Sequence, residues 1–130
     1  MAKQNDLPQL SESQLEVMHI VWNKGEVSLG DVWAELTKSR PLAKNTVQTL
    51  MSRLVDKGWL TYRQEGSAFI YRGTRERQTA HKQILSRILD VAFQGSTEGL
   101  LVSLLQDTSI SPEEAKRLRA LIDDAERGTL

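Results

Sequence analysis

The sequence predicts a mainly α-helical protein with one small β-hairpin. Three helices and the hairpin come first, and a separate group of helices follows. Three observations carry this expectation. Apolar residues recur at helical spacing through most of the 130 residues. Two short runs rich in aromatic and β-branched residues flank Glu65-Gly66-Ser67. Serine-based capping patterns mark helix starts, and glycines mark helix ends.

Ser11 with Gln14 forms a capping-box pattern, and Leu10 can staple against Leu15. The first helix then carries Leu15, Met18 and Trp22 on one face, thickened by Val17, Ile20 and Val21, until Gly25 stops it. Val27 suits a short strand. Ser28 with Asp31 opens a second helix bearing Leu29, Val32, Trp33 and Leu36, which Ser39-Arg40-Pro41 breaks. The third helix runs from Lys44 to Lys57, with Asn45 as its expected N-cap, Gln48 at the reciprocal position and Gly58 after its end. Trp59 to Gln64 and Ala68 to Arg72 are the expected strands. Alternation puts Leu60, Tyr62, Phe69 and Tyr71 on a buried face. Three helices, a tight helix-turn-helix and a hairpin in this order make a winged helix, expected over residues 1–73.

Residues 74–130 read differently. A helix is expected to open at Thr74 and run to about Phe93, carrying Ile84, Leu85, Ile88, Leu89 and Ala92. Gln94-Gly95-Ser96 breaks it, and a short helix follows through Leu100, Leu101, Leu104 and Leu105. Ser111-Pro112-Glu113-Glu114 is a strong helix start, and its helix presents Ala115, Leu118, Leu121, Ile122 and Ala125. Roughly 50 residues are too few to bury such stripes within one copy. Two copies could cover one another, so this part is expected to be a helical dimerisation domain.

The third helix has two unlike faces. Val47, Leu50, Met51 and Leu54 form an apolar stripe. Asn45, Gln48, Thr49, Ser52 and Arg53 lie opposite, with Lys44 and Thr46 at the helix start. Amides, hydroxyls and cations match base edges and phosphates better than the Glu and Lys of an ordinary solvated face. Lys44 and Arg53 are expected to hold phosphates, and Asn45, Thr46, Gln48 and Thr49 to meet base edges. For Thr46 a backbone-bonding role at the helix start is the competing reading. In the hairpin, Arg63, Ser67 and Arg72 are candidates for phosphate or minor-groove contact. Formal net charge is zero, yet nine basic and three acidic residues lie between Lys38 and Arg77, leaving the rest at −6. That dipole suits a DNA binder.

Other classes are excluded or disfavoured. The chain has no cysteine, which removes disulfides, thiolate metal sites and a catalytic thiol. Neither His19 nor His81 has a partner at metal spacing in the sequence. No phosphate loop, paired ligand motif or nucleophile elbow occurs, so no enzyme and no cofactor is expected. Trp22, Trp33 and Trp59 are expected in the core. The opening MAKQNDLPQL lacks an apolar centre and no apolar run could span a bilayer, so a cytoplasmic location without stable membrane association is expected.

LSESQLEVMHIVWNKGEVSLGDVWAEL, then KNTVQTLMSRLVDKGWL, the hairpin EGSAFIYR and the closing SPEEAKRLRALID resemble the penicillinase-repressor (BlaI/MecI/CopY) family over nearly the whole chain. The resemblance implies a homodimeric repressor on a palindromic double-stranded DNA operator. It also implies release when a membrane sensor-protease system triggers cleavage in the C-terminal region. Copper-responsive members carry C-terminal cysteines, which this chain lacks. In the β-lactam-responsive members the cut falls at an Asn-Phe pair, and Ser103-Leu104 aligns there. Two rival readings remain at this level. One is a ligand-sensing regulator with an effector pocket in the C-terminal helices, and the other a winged-helix protein-interaction module, against which the charge split speaks.

Overall fold

The computed structural model describes residues 7–130, so most of the polar N-terminal stretch lies outside the described residues. The order of elements is α1 (Glu12–Lys24), β1 (Glu26–Val27), α2 (Leu29–Leu36), α3 (Lys44–Asp56), β2 (Leu60–Glu65), β3 (Ala68–Gly73), α4 (Arg77–Phe93), α5 (Thr97–Asp107) and α6 (Pro112–Arg127). The strands form one antiparallel sheet in the order β1-β3-β2. This is the winged helix-turn-helix the sequence predicts, followed by helices. The chain divides into two compact units, Met1–Leu85 and Ser86–Leu130, so the division falls within α4 rather than at Gly73.

The first unit has a single core. Val17, Met18 and Val21 of α1, Val32 and Leu36 of α2, and Val47, Met51 and Leu54 of α3 are buried together with Val27, Trp59, Leu60 and Ala80. Each buried Val, Leu or Met side chain contributes roughly 1.5–3 kcal/mol on leaving water. The caps of α1 and α2 are complete capping boxes: Gln14 N donates to Ser11 Oγ and Ser11 N to Gln14 Oε1, and Ser28 and Asp31 do the same. Gly25 ends α1 at a φ of 88°, a conformation that costs glycine least.

Four expectations need correction. Asn45 is not the N-cap of α3. Ala43 occupies that position and makes no side-chain cap bond, and Asn45 lies one residue inside the helix. The break between strands is shorter than expected, because Glu65 pairs with Ala68 and only Gly66 and Ser67 turn the chain. Gly66 supplies the positive φ of 62° that such a two-residue turn needs at its first position. Thr74 does not open α4. Its amide donates to Trp59 O and its hydroxyl to Gly58 O, while Arg75 O accepts from Trp22 Nε1, so the helix begins only at Arg77. The hairpin has no continuous buried face. Leu60 is buried and Tyr71 half-buried, but Tyr62 and Phe69 are exposed and pack edge-on against each other, 5.2 Å between ring centroids.

In the second unit, Ser96 caps α5 and Ser111 caps α6, with Pro112 in the first turn and Gly128 closing α6 in a left-handed conformation. Neither α5 nor α6 contributes a buried residue.

Candidate nucleic-acid interface

The sequence of α3 builds two surfaces. Val47, Met51 and Leu54 are fully buried against α1 and α2, which fixes the rotation of the helix about its axis. Lys44, Asn45, Thr46, Gln48, Thr49, Ser52 and Arg53 are therefore exposed, and all seven expected contact residues share the open side of the helix. Thr49, rather than Thr46, donates its hydroxyl to the backbone, bonding Asn45 O at 3.0 Å. That leaves the Thr49 methyl as its outward group.

Three contacts set the pose of α3. Lys57 at its end turns inward, donating to Gln9 O at 2.8 Å and to Gln14 Oε1 at 2.7 Å. Arg40, in the turn before it, grips Glu16 of α1 through two bonds of 2.8 and 3.0 Å and holds that carboxyl below its usual range. Trp33 is not a core residue: 37% of it is exposed, and Nε1 donates to Leu42 O at 2.8 Å across the helix-turn-helix. The ammonium of Lys44 sits 5.8 Å from the Trp33 ring centroid, within cation–π range. Trp33 thus ties α2 to the start of α3. An indole N–H needs an acceptor, a signal the apolar spacing of α2 conceals.

The basic segment is less uniform than its count suggests. Lys38 bonds Glu35, Arg40 bonds Glu16 and Arg63 bonds Glu26, so three acids outside the segment reach into it, and Arg63 also bonds Glu65 within it. Arg77 donates to Asn23. Lys44, Arg53 and Arg72 have no ion-pair partner among the described residues. In the wing, Ser67 lies exposed in the turn and Arg72 exposed on β3, whereas Arg63 is bonded on both sides. Glu65 two residues after Arg63 was a readable signal, since alternate strand residues share a face. Glu26 was not, because β1 joins the sheet through a non-local pairing.

The two histidines, far apart in sequence, come together. His19 on α1 and His81 on α4 lie 6.0 Å apart by ring centroid, and His19 meets Trp22 edge-on. Partial burial, then Arg77 and His81, lower the His19 pKa. No cluster of three or more metal-ligating side chains occurs among the described residues.

The residues expected to pair two copies are uncovered. Leu85, Ile88, Leu101, Leu104, Leu105, Leu121 and Ile122 are exposed, and Ile84, Leu89, Leu100 and Leu118 only half-buried. Ser103 and Leu104 are exposed and lie within α5. No single helix among the described residues is long and apolar enough to cross a membrane.

A sequence model of the family described as penicillinase repressor matches residues 10–124. The penicillinase repressor of Bacillus licheniformis is 26% identical over 118 residues, covering 91% of this chain and 92% of that protein. The methicillin resistance regulatory protein MecI of Mammaliicoccus sciuri is 23% identical, over 92% of this chain and 97% of its own. Among solved structures, the monomeric form of Bacillus licheniformis BlaI in complex with the blaP half-operator superimposes with a TM-score of 0.50 at 33% identity. It covers 56% of this chain and 89% of that one.

Proposed function

Because the chain belongs to the penicillinase repressor family of DNA-binding transcriptional repressors, we propose that it acts as a homodimer that inserts α3 of each subunit into successive major grooves of a palindromic operator. The observation that carries this reading is the open face of α3, where Gln48, Asn45 and Thr49 lie exposed between the unpaired cations Lys44 and Arg53. The amide of Gln48 matches the donor and acceptor of adenine, and the outward methyl of Thr49 suits thymine. Lys44 and Arg53 hold phosphates at either end, and Thr46 and Ser52 border the groove. Ser67 and Arg72 of the wing reach the flanking backbone and position rather than specify. Bacillus licheniformis BlaI, solved in complex with the blaP half-operator, supports duplex DNA as the partner.

Homodimerisation rests on the apolar residues of α4, α5 and α6 that no part of their own unit buries. A two-fold pair would set the half-sites about one helical turn apart. Relief of repression by a membrane sensor-protease system, implied by the family, would act on the C-terminal helices. A cut at Ser103–Leu104 would require α5 to unwind locally, since that bond is helical.

Selection of genomic fragments by the full-length protein tests the reading. Enrichment of an inverted repeat, bound with a steep loss of affinity as salt rises, is the expected result. Recovery of fragments without a shared sequence, or binding indifferent to salt, would overturn it.

A further inference from the structure

The wing carries an ion cluster for which the fold has little need. Arg63 stands on β2, and its guanidinium reaches across β3 to Glu26 on β1. Nη1 and Nη2 both meet the Glu26 carboxylate, the second at 3.2 Å. Nε and Nη2 meet Glu65 at 2.7 and 2.6 Å. All three donor nitrogens are thus engaged by two acids. The register places Arg72 opposite both Glu26 and Thr61, so it shares this sheet face. Two arginines and two glutamates leave the face with no net charge. About half of each clustered side chain is exposed, 49% for Arg63, 48% for Glu26 and 56% for Glu65. Exposed pairs of this kind add little to folding stability, so what the cluster controls is the charge the wing presents.

We propose that Glu26 and Glu65 act as a brake on duplex binding: they hold Arg63 away from the phosphates and keep the wing electrically neutral. A guanidinium has five N–H donors and no acceptor, and four of those of Arg63 already face carboxylate oxygens, so a phosphate can grip it through two donors only by replacing a carboxylate. The two acids also repel the same phosphates. Binding then depends on α3, where Lys44 and Arg53 are unpaired, with Arg72 as the one wing cation free of a hydrogen-bonded acid among the described residues. A repressor that must leave its operator on demand gains from a wing that does not hold it there.

This proposal rests on the DNA-binding reading above, and a salt titration separates the two. The full-length protein is titrated on a selected genomic fragment and on a random duplex. Glu26→Gln combined with Glu65→Gln should tighten binding to both duplexes. It should also steepen the dependence of log affinity on log salt by about one, which is roughly a three- to fourfold greater loss between about 50 and 200 mM salt. Arg63→Ala alone should leave that slope unchanged, and adding it to the double variant should abolish the steepening. The glutamines keep the side-chain shape, and thermal unfolding of each variant confirms the fold. A flatter slope for Arg63→Ala alone would show Arg63 already on a phosphate and overturn the brake. So would a steepening that survives in the triple variant, since removal of negative charge would then suffice. If the unmodified protein retains neither duplex at low salt, the DNA-binding reading itself fails.

Discussion

Gln48 is exposed on α3, and neither end of its amide bonds another group among the described residues. On the proposed reading, that leaves its amide free to discriminate between base pairs. Gln48→Ala should cost roughly 1–3 kcal/mol on the selected operator and little on random duplex. Equal losses on both, in parallel equilibrium titrations, would show that Gln48 reads no base. Thr49 differs, because its hydroxyl is bonded to Asn45 O, so Thr49→Val keeps the outward methyl and should retain most of the affinity. His19 gives the residue-scale prediction for stability. Burial, Arg77 and His81 together depress its pKa below the ordinary value of 6.5. The unfolded chain therefore binds the proton more readily than the folded one, and stability is lost as pH falls through the unfolded value. Melting temperature should decline on going from neutral pH toward pH 5, above the range in which Glu16, Glu26 and Glu35 lose their ionised form. His19→Gln should flatten that decline, and an unchanged profile would rule out His19 as its source.

At the scale of elements, what was legible in the sequence was local. Capping pairs such as Ser11 with Gln14 and Ser28 with Asp31 are bonds between residues three apart, so the starts of α1 and α2 could be read to the residue. The open face of α3 was legible for a similar reason, since helical spacing alone separates Gln48 from Val47 and Met51. Exposed Tyr62 and Phe69 were not, because alternation reports which residues share a face but not how far the hairpin extends beyond the core. The late start of α4 escaped too, as it depends on Gly58, Trp22 and Trp59, elements distant in the chain. The start of α3 was misread because Asn45 is a favourable cap by type, yet the turn held by Trp33 and Arg40 sets Ala43 there instead. Alanine leaves the first amides of α3 without a side-chain acceptor. Ala43→Ser should therefore stabilise the protein by about 0.5–2 kcal/mol in chemical denaturation, the usual range for such a cap. No gain would mean that the strapped turn denies serine the cap geometry.

For the whole molecule, the question is which part of the chain folds alone and which part needs a second copy. The winged helix does not end at Gly73 in energetic terms. Trp22 bonds Arg75 O at 2.8 Å, Ala80 is completely buried, and Gln83 Nε2 bonds Leu7 O at 2.6 Å. A fragment ending at Arg72 would lose all three, exposing the core around Met18 and Val21. A fragment ending at Leu85 keeps them, and it is expected to fold. It lacks Ile88, Leu101, Leu104, Leu105, Leu121 and Ile122, whose exposed apolar surface is the ground for proposing a dimer. Residues 1–85 should therefore sediment as a monomer at concentrations where the full chain is dimeric. They should bind a half-site as well as one subunit of the full chain does, and bind the complete inverted repeat far more weakly, because the second contact is no longer tethered to the first. Sedimentation and titration on half and complete sites would be read together. A monomeric full chain, or a fragment with undiminished affinity for the complete repeat, would remove the C-terminal helices from dimerisation and leave their exposed leucines to some other partner.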